Sequence, residues 1–215
     1  MLPFDAESLF AAIGGYHRGH PLAAVLAPVA AALALLLALR GPASARRAVP
    51  FLLAGCWLWI GVAWHLGAFA QLNFAAPAYG ALFVLQGFVL AWLGIRDRLR
   101  FGGAGGWAGA VGVALALLGI VAMPLGDGLL GWPWSSARLA GMDPCPTAVL
   151  TLGILLLARP PRPLAMIIPV LWTIIAAATG WVLGIGPDMA LPLAALAAVA
   201  GAFRRSYAAE ARISA

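Results

Sequence analysis

The sequence predicts an all-α, polytopic membrane protein with seven transmembrane helices, the N-terminus outside and the C-terminus in the cytoplasm. Three observations predict it. The 215-residue chain is 64% hydrophobic and only 9% charged, whereas ordinary soluble domains carry about 25% charged residues. Its apolar residues gather into runs too long and too many for one soluble core. The loops between those runs alternate between arginine-rich and arginine-poor, which sets a topology.

The first segment, residues 1–20, reads as a periplasmic amphipathic piece. Asp5 can begin a short helix that places Leu9, Phe10 and Ile13 on one face, suited to a membrane interface. Its acidic start has no basic region or small-residue cleavage site, so it does not read as a cleavable signal peptide. Residues 21–205 form the transmembrane domain, with apolar runs at Pro21–Leu39, Val49–Ala70, Ala78–Ile95, Trp107–Leu125, Pro144–Ala158, Leu164–Leu183 and Met189–Phe203. Residues 206–215 are read as a cytoplasmic tail. Arg40, Arg46 and Arg47 fall after the first run, Arg96, Arg98 and Arg100 after the third, Arg159 and Arg162 after the fifth. With Arg204, Arg205 and Arg212 that makes eleven arginines on one side, against Arg18 and Arg138 on the other. The richer side is assigned to the cytoplasm.

The fifth run is unusual. It begins MDPCPT and ends ARPPR, so an acidic start and a basic exit bracket the leucines. Asp143 suits a helix N-cap, and Pro144 suits the first helical position, where its missing N–H costs nothing. Pro144–Ala158 is 15 residues, or about 22 Å of helix, short of a hydrocarbon core of about 30 Å. This helix is expected to be thin-set, end-anchored or packed inside the bundle. Cys145 would sit at the positive end of its dipole, which favours a thiolate, while Asp143 beside it opposes one. A small packing residue and a functional thiol both remain open readings of Cys145.

Small residues recur at helical spacing: Gly80, Gly87 and Gly94; Ala108, Gly112 and Ala116; Ala176, Gly180 and Gly184. In lipid, such rows let helices approach closely. The first three and last three runs also share a pattern of leucines, arginine, a proline-bearing loop, then Pro and Trp. That pattern pairs Arg40 with Arg159, Pro50 with Pro169 and Trp59 with Trp172. It fits a 3+1+3 arrangement of two parallel repeats, as in some transporter folds, and equally fits chance similarity between two leucine-rich hairpins.

Several functions are excluded on chemistry. The net charge of +6 is all arginine, with no lysine, so retinal cannot be held through a Schiff base. No basic stripe with interleaved aromatics suggests nucleic acid, and two cysteines make no disulfide framework. Haem lacks two facing histidines at matching depth. No nucleotide loop, Ser-His-acid set or paired membrane carboxylates are visible, so the chain is not read as an enzyme and no cofactor is expected. The remaining polar residues, His65, Asn73, Asp143, Cys145 and Thr147 towards the outer ends of the runs and Gln86 near the middle of the third, are read either as the lining of an outer binding vestibule or as groups that bridge neighbouring helices. His17, His20, His65 and Cys145 are the candidate ligands for a soft or borderline metal ion.

The stretches GYHRGHP, LWIGVAWHLGAFAQLNFAAPAYGALFVLQG and PCPTAVLTLGILLLARPPRP, following an LPF opening, resemble a family of small bacterial membrane proteins of unknown function. The resemblance covers nearly the whole chain, with His65, Asn73, Gly80, Gln86, Gly87 and Pro144–Thr147 as its markers. It implies a bacterial inner membrane, and some relatives are loosely labelled permeases. The family pattern has asparagine at the place of His17 and tryptophan at that of His20, so this chain departs there. Three readings follow. One is a small-solute or ion permease. Another is a subunit or assembly protein of a membrane complex, with a homo-oligomer or complex partner. The weakest is a metal- or thiol-based sensor.

Overall fold

In the computed structural model, which describes residues 3–102 and 105–211, the described residues form helices joined by turns and short irregular segments. Helix α1 is Ala6–Gly19, α2 Pro21–Arg40, α3 Ala45–Trp59, α4 Ala76–Ile95, α5 Gly106–Leu117, α6 Met123–Leu129, α7 Pro144–Leu157, α8 Ile167–Leu183 and α9 Leu191–Ala211. A π-helical segment, Ile60–Ala68, prolongs α3, and a second, Leu118–Ala122, joins α5 to α6 without a break in the rod. Among the described residues the only bridge of strand type joins Arg100 to Arg159.

Six helical stretches are long and apolar enough to cross a membrane: Pro21–Arg40, Ala45–Gln71, Ala76–Ile95, Gly106–Leu129, Pro163–Leu183 and Gly186–Arg205. The seventh expected span is not among these six. It forms α7, which has 14 residues and a length of about 21 Å. Every residue of α7 except Cys145 is buried, and the helix is enclosed by α2, α3, α5, α8 and α9. Its sequence explains the position. With no charged side chain to keep wet, a glycine at its midpoint lets α5 close on it: a Cβ on Gly153 would lie 2.5 Å from the Gly112 carbonyl oxygen and 2.7 Å from the Ala116 nitrogen. The Ala108–Gly112–Ala116 row is therefore a true seam. The Gly80–Gly87–Gly94 row on α4 does the same work against α3. The third row only half holds, because Gly180 packs on Asp188 while Gly184, at φ +73°, ends α8 in open space.

A chain of 14 helical residues does not reach from end to end, and the preceding segment makes up the difference. Ala140, Met142 and Asp143 are buried although non-helical. Backbone of this kind is tolerated at membrane depth only where protein surrounds it. Gly141 permits the descent: its φ is +87°, and a Cβ there would sit 2.4 Å from the Ala27 carbonyl oxygen. Only glycine satisfies both constraints.

The two ends of the bundle differ in kind. One end gathers α1, the Phe69–Gln71 turn, the 127–143 segment and the 186–190 turn. At the other lie all the described arginines except Arg18 and Arg138, as the alternating loops predict; Arg212 lies outside the described residues. The repeat finds no parallel in burial. The α2 window is 22% buried and faces outward, while its would-be partner α7 is the core.

Candidate functional site

Helix α1 closes the arginine-poor end. Asp5 caps it, accepting a hydrogen bond from the Ser8 N–H at 2.8 Å. That bond holds the exposed Asp5 carboxyl below the usual carboxylate range. Phe10 and Ile13 are buried beneath the helix, on the face the sequence predicts. Phe10 stacks on Trp132 with ring centres 4.0 Å apart, and the Arg138 guanidinium lies over its ring at 5.4 Å.

Arg138 is the hub of a buried ionic network. Its Nη2 donates to Asp127 Oδ1 at 2.6 Å and its Nε to Asp127 Oδ2 at 2.9 Å. Its Nη1 donates to Asp188 Oδ2 at 2.6 Å. Burial works against the charged guanidinium, but the Asp127 hydrogen bonds and the Asp188 charge outweigh it and hold Arg138 firmly protonated. Three distant points of the chain (α6, the 138 segment and the turn before α9) are thereby tied together.

Asp143 forms a second centre. The sequence casts it as the cap of α7, yet its carboxylate turns away from that helix. Asp143 Oδ2 accepts from the Leu139 N–H at 2.7 Å and from His17 Nε2 at 2.9 Å. Two of the first three residues of α7 are prolines, so its first turn has few N–H groups for a side chain to satisfy. Asp143 is fully buried, and its Oδ1 has no hydrogen-bond partner. Burial lowers the basicity of His17, but the Asp143 hydrogen bond and charge, with the Ser135 carbonyl, raise it further, so the net shift is upward. The neighbouring Tyr16 hydroxyl is pushed up, first by burial and then by the Asp143 charge.

Between these two centres lies a cavity of about 60 Å³. Asp143, Asp188, Arg138, Cys145, Asn73 and Thr179 are the polar residues along its lining, which is otherwise apolar, and Trp64, Phe69, Tyr79 and Trp172 are its aromatic ones. A water needs about 10–15 Å³ of such space, so the cavity has room for a few water-sized groups. A sugar does not fit. The local charge is unbalanced as well: three carboxylates face one guanidinium and the His17 imidazole.

Of the vestibule residues expected from sequence, Asn73, Asp143 and Cys145 meet at this cavity. Three do not. His65 is fully buried behind Tyr79 and Trp172, in a box of rings with Phe83 at 4.5 Å and Trp172 at 5.1 Å between centres. Neither of its ring nitrogens has a partner. Gln86 points the other way and donates to the Ala165 carbonyl at 2.9 Å, tying α4 to the turn before α8. Thr147 serves the backbone, donating to the Asp143 carbonyl at 2.6 Å and accepting from the Gly141 N–H at 2.7 Å. The four metal candidates also stay apart. His17 is spent on Asp143, and His20 on the Tyr16 carbonyl at 3.0 Å. Among the described residues no three His, Cys, Asp or Glu side chains converge as metal ligands would. Both cysteines are free thiols.

Sequence reading missed the Arg138 hub and the aromatic walls. A signal existed: Arg138 is an arginine on the poor side, in a chain that places two aspartates, Asp127 and Asp188, on that side too. Fold and site together define an all-helical protein with six helices able to cross a membrane and, at one end, a small aromatic-lined cavity bordered by Asp143, Asp188 and Arg138. The chain belongs to a family of unknown function, DUF6064, whose profile matches residues 6–213. No curated protein and no solved structure matches it.

Proposed function

We propose that the protein is an inner-membrane permease for a small monovalent cation of the ammonium class, ammonium itself or a short alkylammonium. The observation that carries the reading is the unpartnered Oδ1 of Asp143, fully buried beside an aromatic-walled cavity. A buried acceptor without a donor costs about 1–3 kcal/mol or more if charged, and a bound N–H donor with positive charge removes that cost. The rings of Trp64, Phe69, Tyr79 and Trp172 suit the same ligand, since aromatic faces attract ammonium groups. Arg138 does not neutralise Asp143, because its own charge is committed to Asp127 and Asp188. On this reading the arginine-poor end faces the periplasm, as the positive-inside rule prefers. His17 then acts as the competing cation. Protonated, it satisfies Asp143; neutral, it leaves the carboxylate to the ligand, so binding strengthens as pH rises through the His17 titration.

One observation favours a second reading, a receptor or non-transporting subunit of a membrane complex. Below the cavity α7 is packed on every side, with Gly153 against Gly112 and Ala116. Reconstitution separates the two. A permease gives proteoliposomes a saturable uptake of radiolabelled methylammonium that Asp143→Asn abolishes while the thermal melt stays cooperative. Binding without uptake assigns the cavity to a receptor. Neither binding nor uptake refutes the ligand class.

A further inference from the structure

The opposite end of the bundle carries a second feature, independent of the cavity. Helix α4 and the turn before α8 border an open groove of about 810 Å³. Its walls are apolar: Phe88, Trp92, Ile95 and Leu164 stand more than half exposed along it. Its rim is cationic, carrying Arg96, Arg98 and Arg162. The acid nearest in sequence, Asp97, is engaged elsewhere, with Arg46 at 3.3 Å. Arg96 is held over the Trp92 ring at 4.2 Å, which fixes its guanidinium at the mouth of the groove. The Arg162 Nε is buried and has no hydrogen-bond partner.

We propose that this groove is a binding site for an anionic phospholipid, with the acyl chains along Phe88, Trp92, Ile95 and Leu164 and the phosphate among Arg96, Arg98 and Arg162. Two features of different chemistry meet here, and a single occupant satisfies both. A free inorganic anion would use the rim and leave the apolar wall empty. A zwitterionic lipid would bring the same phosphate together with a quaternary ammonium, which three guanidiniums repel. The groove opens on the outside of helices that are themselves apolar enough to lie in a bilayer, so lipid is the partner it meets. Basic pockets at the cytoplasmic ends of membrane helices recognise acidic head groups in this way. The inference rests on the membrane reading but not on any ligand for the cavity.

The test uses the full-length chain purified in a neutral detergent. Phosphatidylglycerol and phosphatidylcholine of identical acyl chains are titrated separately, and bound lipid is read by native mass spectrometry alongside the melting temperature. The site predicts retention of phosphatidylglycerol over phosphatidylcholine, with the preference falling about fivefold for each arginine removed. R96Q, R98Q and R162Q are made singly and together; R98Q alone is the safeguard, since Arg98 is exposed and its loss does not threaten folding. Equal retention of the two lipids, or a preference that survives the triple variant, overturns the assignment. So does inorganic phosphate reproducing the stabilisation at matched concentration, which would assign the rim to a free anion.

Discussion

Arg138 meets Asp127 at 2.6 Å with both side chains almost wholly buried, while Arg46 meets Asp97 at 3.3 Å with each more than a third exposed. The chemistry of the two pairs is the same and their surroundings are opposite. At the α1 end every donor of the guanidinium that bonds is aimed at a carboxylate, and Phe10 covers the group from above. At the arginine end Arg96 and Arg98 are exposed and Arg162 half-buried, and none of the three forms an ion pair among the described residues. Buried charge must be satisfied completely or it destabilises strongly; exposed charge is screened and adds little. The first end is thus a built interior, and the second a surface prepared for something outside the protein.

Breaking the interior gives the largest effect. Replacing Arg138 by Met strands Asp127 and Asp188 without a cation, and we expect a loss of about 3–5 kcal/mol, read by thermal or denaturant unfolding in detergent. Adding Asp127→Asn and Asp188→Asn to that variant recovers much of the loss, because the cost lies in the unpaired charges. If the triple variant is no better than Arg138→Met alone, packing rather than charge explains the hub.

The His17–Asp143 pair comes next and carries a pH signature. Its partners raise the His17 pKa above its ordinary 6.5. The pair therefore adds its full stability below that value and loses it as pH rises through the higher, folded-state value. Melting temperature should fall across that range in the native chain. His17→Asn, which keeps a donor for Asp143 but cannot titrate, should remove the fall. An unchanged pH profile in the variant would show that another group is responsible.

The Arg46–Asp97 pair sets the lower limit. Asp97→Asn should change stability by about 0–1 kcal/mol and less at high salt. A loss as large as that of Arg138→Met would erase the contrast between the two ends.

The contrast also explains which features could be read in the sequence. Asp5 and the Leu9–Phe10–Ile13 face describe α1 correctly, because capping and amphipathic spacing are local properties. The arginine loops separate the two ends for a similar reason. The α7 helix is different. Hydropathy does not distinguish a helix facing lipid from one facing protein, since both are apolar all round, so α2 and α7 read alike though one is peripheral and the other central. Its short length was the available clue, and it left a thin-set, an end-anchored and a bundle-packed helix equally open. At the site, Asn73, Asp143 and Cys145 could be grouped by topology alone. Gln86 and Thr147 could not be excluded from that group, because their partners, the Ala165 and Asp143 carbonyls, are backbone atoms placed by the fold. The Arg138 hub joins residues 11 and 50 positions apart with no spacing rule to announce it.

The most direct test is a titration of the purified protein with methylammonium chloride against equal concentrations of sodium chloride, following the melting temperature. A saturable rise with methylammonium is expected, absent in Asp143→Asn and intact in the R96Q/R98Q/R162Q variant. No rise beyond that of sodium chloride, or a rise that persists in Asp143→Asn, would contradict the ammonium reading.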